Sequence, residues 1–197
     1  MKANPFAILV SCTGDGPFAT HLPLAICESG EQVVLRGHVA KANPHWRHLE
    51  AQAECMTIFH GAHAYVSASN YETRENVPTW NYGAVHVYGR ARVFRSAEEL
   101  QSVLHSLIGT FEAAYAEQWA ELGEPYRARM LSHIVGFEIT VTKIEGKFKL
   151  SQNRTRLEQG NVIASLAAAD DTTVSGVAAL MREQGLGQCP VRDEEKK

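Results

Sequence analysis

Apolar and polar residues alternate along much of the first half of the chain, and a period of two predicts strands. The apolar run at 5–12 is a short strand, and Thr13-Gly14-Asp15-Gly16-Pro17 after it is dense in turn formers. Phe18, Thr20, Leu22, Leu24 and Ile26 then alternate with Ala19, His21, Pro23 and Ala25. A turn at 28–31 leads to a strand at 32–39, and strands resume at 54–60 and near 64–67. The clearest strand covers 82–94: Val85, Val87, Ala91 and Val93 face one way, His86, Tyr88, Arg90 and Arg92 the other. A last strand at 134–142 sets Phe137, Ile139 and Val141 against Glu138, Thr140 and Thr142.

Helical spacing interrupts this pattern. Asn43 is a good N-cap and Pro44 suits a first helical position, which predicts a short helix over 44–52. Ser96-Ala97-Glu98-Glu99 reads as a capping box opening a helix near 96–118, with Leu100, Val103, Leu104, Leu107, Ile108 and Phe111 on one stripe. A shorter helix is expected at 124–131. The tail returns to helical spacing at Val174, Val177, Leu180 and Met181 before its charged end at 193–197. Six or seven strands with inserted helices imply an α+β fold, a mixed β-barrel of Greek-key type. The expected division is a barrel domain over 1–154 and a helical extension over 155–197.

Composition narrows the classes. With 197 residues, 45% hydrophobic and 21% charged, the chain is long enough for one substantial core. A formal net charge of −3 gives no broad electrostatic footprint for nucleic acid. Cys12, Cys27, Cys55 and Cys189 form no C-x-x-C pair, so buried free thiols in a reducing compartment are expected. No charged n-region precedes an apolar run at the start, and no window nears the ~20 apolar residues of a membrane span. A cytoplasmic location follows as an expectation.

Three segments are candidates for chemistry. The strand ending at Gly37-His38-Val39-Ala40-Lys41-Ala42-Asn43 feeds a helix N-terminus, where free N–H groups favour an anion, although an ordinary capped helix has the same spacing. Trp80 and Tyr82 in the polar stretch from Asn76 offer a wall for a planar ring, or simply anchor a loop. Nine histidines, among them His60 and His63, lack the compact partner set of a metal site, so no metal is expected. No nucleophile elbow, Walker loop or dinucleotide fingerprint is present, and catalytic residues cannot be assigned.

Six blocks in order resemble the PaiB-like family, the FMN-binding negative transcriptional regulators. They are Ala19-Thr20-His21-Leu22-Pro23-Leu24, Gly37-His38 with Ala42-Asn43-Pro44-His45-Trp46, the stretch from Phe59-His60-Gly61 to Ser67, Glu75-Asn76-Val77-Pro78-Thr79-Trp80-Asn81-Tyr82, Val85-His86-Val87-Tyr88-Gly89, and Lys149-Leu150-Ser151-Gln152-Asn153-Arg154. The resemblance implies the FMN-binding split barrel, a homodimer with flavin at the subunit interface. It implies a phosphate near His38, Lys41 and Asn43 with help from His21. The flavin ring is then expected near Trp80, Tyr82, His86, Lys149, Ser151, Gln152 and Arg154. Two departures stand out: the helical stretch usual before Asn4 is nearly lacking, and Asn70 replaces a usual tryptophan.

Three functions remain open on these grounds. One is a regulator, acting on DNA directly or through flavin redox state; the absence of a helix-turn-helix pattern speaks against direct binding. Another is a flavin-dependent oxidoreductase on a small substrate, with His21, His38 or His86 as proton donor. The third is a haem- or metal-handling barrel.

Overall fold

The structure, a computed structural model, describes residues 1–187. Its elements are β1 (Phe6–Thr13), β2 (Gly16–Pro23), β3 (Ala25–Ser29), β4 (Gln32–Ala40), α1 (His45–Ala51), β5 (Glu54–Val66), β6 (Thr79–Phe94), α2 (Ala97–Phe111), α3 (Tyr115–Glu121), α4 (Glu124–Ser132), β7 (Ile134–Lys149), α5 (Arg156–Ala167) and α6 (Thr172–Glu183). The seven strands form one sheet in the order β2-β1-β5-β6-β7-β4-β3. The chain divides into two compact units, Met1–Phe59 with Val85–Glu145, and His60–Ala84 with Gly146 onward.

In the first unit, β1 and β2 form a hairpin running from Phe6↔Pro23 to Thr13↔Gly16. Gly16 takes φ +107, a conformation open to glycine at little cost, and so closes this turn. β1 also pairs with β5 (Ala7↔Phe59 to Ser11↔Cys55), β3 with β4, and β4 with β7 (Val34↔Thr140 to Ala40↔Ile134), all antiparallel. β2 and β3 end the sheet order yet are separated in the chain only by Leu24, which is fully buried, so the sheet curls on itself. Inside lie Leu9, Leu24, Leu35, Phe59, Val87, Phe137 and Ile139. Each such side chain contributes roughly 1.5–3 kcal/mol through burial. A second apolar layer joins Phe94 to Leu100, Val103 and Leu107 of α2 and Leu131 of α4.

In the second unit, α5 and α6 bury Val162, Ile163, Leu166, Val177, Ala178 and Met181 with Ala64, Val66, Tyr71 and Leu150. Thr155 and Glu158 form a reciprocal capping box at the start of α5.

Several expectations shift in detail. The strands expected at 54–60 and 64–67 are one continuous strand, β5, and β7 extends seven residues beyond Thr142, to Lys149. The helix expected over 96–118 stops at Phe111 and restarts as α3; none of residues 108–118 is buried, so the apolar stripe has no core to follow there. The helix expected over 44–52 runs from His45 to Ala51 with Pro44, not Asn43, in the N-cap position; Asn43 stands one residue earlier, its Oδ1 accepting the His45 N–H at 2.9 Å. Of the cysteines, Cys55 is buried, Cys27 is half-buried and Cys12 is exposed beside the first turn. Cys189 and the charged end at 193–197 lie outside the described residues. Among the described residues no helix is long and apolar enough to cross a membrane.

Candidate functional site

β7 ends at Lys149, and the chain then turns sharply through Leu150, Ser151, Gln152, Asn153 and Arg154. Ser151 is buried and has φ +61, the one positive φ outside glycine among the described residues. That conformation costs an L-residue roughly 1–2 kcal/mol, and such strain concentrates at functional turns. Its surroundings hold it in place. Ser151 Oγ exchanges hydrogen bonds with the buried Asn81 amide at 3.0 and 3.2 Å, and the Arg154 N–H closes the turn onto Ser151 O at 3.0 Å. Gln159 of α5 donates to both Ser151 O and Arg154 O. Gln152 braces the same turn from outside, accepting from Leu150 N–H and donating to Phe148 O.

The braced turn lines a cleft of about 190 Å³ together with Tyr71, Val77, Pro78, Thr79 and Asn81. Its charged side chains are Lys149 and Arg154, and no carboxylate lines it. Lys149 Nζ donates to Thr79 Oγ1. Arg154 lies over the Tyr71 ring at 3.8 Å and donates to Asn76 Oδ1 at 2.6 Å. Glu158, 3.9 Å from Arg154, is itself taken up by the Glu72 N–H. The Tyr71 hydroxyl is buried and has no partner. A cleft with two cations, an unpartnered hydroxyl and no carboxylate suits an anion. At this volume it takes a head group, since whole-ligand pockets run above ~300 Å³.

Strand alternation separates two of the expected residues from this cleft. Asn81 is buried on one face of β6, whereas Trp80 and Tyr82 lie on the other. Trp80 is 53% exposed, stacks on His63 with centroids 6.1 Å apart, and meets Tyr65 edge-on at 6.2 Å.

The remaining expected residues belong to the first unit. His21 is exposed on β2, its ring tilted against Phe6 at 6.2 Å. His38 is half-buried with Nδ1 unpartnered, and burial lowers its pKa. Asn43 spends its side chain on the His45 N–H and on Thr20 Oγ1, and Lys41 is exposed, its carbonyl accepting from Trp46 Nε1 at 3.0 Å. His86 stands near a surface network in which Tyr88 donates to Glu145 at 2.9 Å and Lys143 pairs with Glu145 at 2.6 Å. Those two hydrogen bonds, that of Lys143 first, hold the Glu145 carboxyl below its usual range.

Lys149, Ser151, Gln152 and Arg154 are therefore brought together at one cleft. Sequence reasoning missed Tyr71, Thr79 and Asn81. Asn81 carried a signal, an amide on the inner register of a strand, which was masked by reading 76–82 as a loop.

Comparison with known proteins completes the picture. Residues 1–143 match the family described as "Putative FMN-binding domain". The chain is 37% identical over 186 residues to the protease synthase and sporulation protein PAI 2 of Bacillus subtilis, covering 93% of this chain and 89% of that protein. It is 30% identical over 201 residues to an uncharacterized protein of Emericella nidulans, covering 86% of this chain and 80% of that one. Among solved structures, the flavocytochrome Anf3 of Azotobacter vinelandii superposes with a TM-score of 0.56 at 18% identity, over 75% of this chain and 63% of that one. The FAD and heme binding protein of Mycobacterium smegmatis superposes with a TM-score of 0.51 at 13% identity, over 75% and 67%. These likenesses identify the fold as the flavin-binding split barrel. The chain belongs to the PaiB-like family of FMN-binding domain proteins, whose cofactor is FMN.

Proposed function

We propose that the FMN phosphate is held in the cleft of the second unit by Lys149 and Arg154, and that the protein exerts regulation through the redox state of this flavin rather than by gripping DNA. The observation that carries the reading is the strained, fully braced turn at Ser151, which fixes two cations beside a cleft without a carboxylate. The donor set fits a phosphate: a lysine, an arginine and the unpartnered Tyr71 hydroxyl. FMN supplies the electron-transfer chemistry once bound. The chain's part is to anchor the phosphate by charge and hydrogen bonds. A homodimer belongs to this reading, since Tyr65, Val77, Trp80 and Phe148 of the second unit leave apolar surface for a second copy to cover. A cytoplasmic location also belongs to it. The formal charge of −3 supports an indirect route to regulation.

The test is a visible spectrum of the protein mixed with FMN and passed through gel filtration, with titration of wild type and Lys149→Met. About one FMN per subunit is expected for the wild type. Losing one charge-assisted contact of ~1.5–3 kcal/mol predicts roughly 10- to 150-fold weaker binding in the variant. Equal affinities would remove the phosphate assignment. Gel shifts across a salt series test the regulatory half: salt-dependent binding to duplex DNA would show direct contact instead.

A flavin-dependent oxidoreductase is the second reading, and the proton-handling network of Tyr88, Glu145 and Lys143 near His86 favours it. Bleaching of bound flavin by NADH or NADPH under anaerobic conditions would raise it above the first.

A further inference from the structure

The first unit contains a second cavity, of about 290 Å³, between α2 and α4. Its floor is apolar: Leu100 and Leu131 are buried there, with Ala97 and Ala128 beside them. Its polar lining is Arg95, Gln101, Glu124, Arg127 and Ser132. Three of these are already explained. Arg95 pairs with Glu50 at 2.7 Å and lies over the Trp46 ring at 4.5 Å. Ser132 donates to Arg129 O at 2.7 Å, and Gln101 is exposed on the helix surface.

Arg127 is not explained. Its guanidinium makes no hydrogen bond or ion pair with any described residue, and its Nε is buried without an acceptor. A guanidinium carries five donors, and leaving a charged donor dehydrated and unpaired is costly. The helix would lose little by placing a neutral residue here, so the charge points to an acceptor from outside the chain. A carboxylate matches the fork of an arginine, engaging the two terminal nitrogens of this half-exposed side chain together. The apolar floor asks for a short hydrocarbon body. Glu124 at the rim has no recorded ion pair and opposes a second negative charge on the ligand.

We propose that the cleft between α2 and α4 binds a small aliphatic monocarboxylate, with Arg127 taking the carboxylate and Leu100 and Leu131 the chain. The volume lies near the lower edge of small-molecule pockets, which keeps the ligand to a few carbons. The site uses no residue of the proposed flavin cleft and stands or falls independently of it.

The experiment is isothermal titration of the full-length, FMN-loaded protein with butyrate, butyramide and succinate, paired with thermal melts. Butyrate is expected to bind saturably at a roughly millimolar Kd, butyramide not measurably, and succinate more weakly than butyrate. Arg127→Met is expected to weaken butyrate at least about tenfold while its melting temperature stays the same or rises, because an unpaired buried donor has been removed. Glu124→Gln is expected to bring succinate closer to butyrate. Absence of saturable butyrate heat to about 50 mM, or undiminished binding by Arg127→Met, would overturn the proposal. So would a melting temperature lowered by several degrees in Arg127→Met, which would make this arginine part of the scaffold.

Discussion

His45 makes the stability of the first unit depend on pH. Its imidazole is fully buried at the start of α1, with Nδ1 2.8 Å from Thr20 Oγ1 and Nε2 without a partner. Phe18 packs edge-on against it at 5.1 Å, and the His48 ring lies 6.2 Å away. Burial, with a smaller contribution from the charge on His48, lowers the His45 pKa from 6.5 to about 4. Above pH ~6.5 this imidazole is neutral in both the folded and the unfolded chain and adds no pH dependence. Between 6.5 and 4 the unfolded chain takes up a proton that the folded chain refuses, so stability falls with falling pH. For these two pKa values the loss is on the order of 1 kcal/mol at pH 5.5 and 2–3 kcal/mol at pH 4.5.

Urea denaturation at pH 7.5, 6.5, 5.5 and 4.5, with excess FMN at fixed concentration, measures this directly. His45→Asn should start lower at pH 7.5, because the ring and its edge contact with Phe18 are lost, although the amide leaves a polar atom where Nδ1 met Thr20. Its decline from pH 7.5 to 4.5 should nevertheless be shallower than the wild type's by about 2–3 kcal/mol. Parallel pH profiles for the two proteins would refute the argument, since the acid-sensitive group would then lie elsewhere.

Other outcomes follow from close contacts and from the strained turn. A Cβ at Gly89 would meet Ile139 Cγ2 at 2.5 Å and the Thr140 carbonyl oxygen at 2.6 Å. Backbone cannot yield cheaply there, so Gly89→Ala should cost roughly 2–3 kcal/mol and lower Tm by about 5–10 °C in a calorimetric scan. At Ser151, alanine loses the Asn81 hydrogen bonds and keeps the positive φ, whereas glycine loses the bonds and relieves the strain. Ser151→Gly should therefore be more stable than Ser151→Ala by about 1 kcal/mol in urea melts. The buried Cys55 thiol, whose pKa burial pushes up to about 12, should react far more slowly with a thiol reagent at pH 8 than the exposed Cys12.

Much of the fold was legible because its elements carry local signals. The N-cap expected at Ser96 is present, Ser96 Oγ accepting the Glu99 N–H at 3.3 Å, although the Glu99 carboxylate returns to the Ser96 hydroxyl rather than to its backbone N–H, so the box is only half formed. Alternation at Val85, Val87 and Val93 and at Phe137 and Ile139 reported real strand faces, since one face meets a core. The signals failed where burial and periodicity part company. Gly61, Ala62 and His63 continue β5 without presenting an apolar face, so one long strand read as two. The end of β7 is exposed on both faces from Thr142 to Lys149, and a strand without a buried side leaves no period to detect. The start of α5 does carry a local signal, since Thr155 and Glu158 stand at capping-box spacing and form the reciprocal pair.

The candidate site was half legible, for a reason that also bears on its chemistry. Lys149, Ser151 and Arg154 are neighbours in sequence, so any tight turn brings them together. What makes the turn a rigid site comes from elsewhere in the second unit: Asn81 on β6, Gln159 on α5 and the Tyr71 ring beneath Arg154. Spacing does not encode those contacts. The expected cradle at Lys41 and Asn43 shows the converse. Its sequence is that of a helix start open to an anion, yet the Asn43 side chain is committed on both sides to Thr20 and the His45 N–H. A seven-residue helix whose first N–H is already met by the Asn43 side chain has less to offer a phosphate. Two cations on a turn held from three directions offer more, and that contrast supports the proposal that Lys149 and Arg154 hold the phosphate.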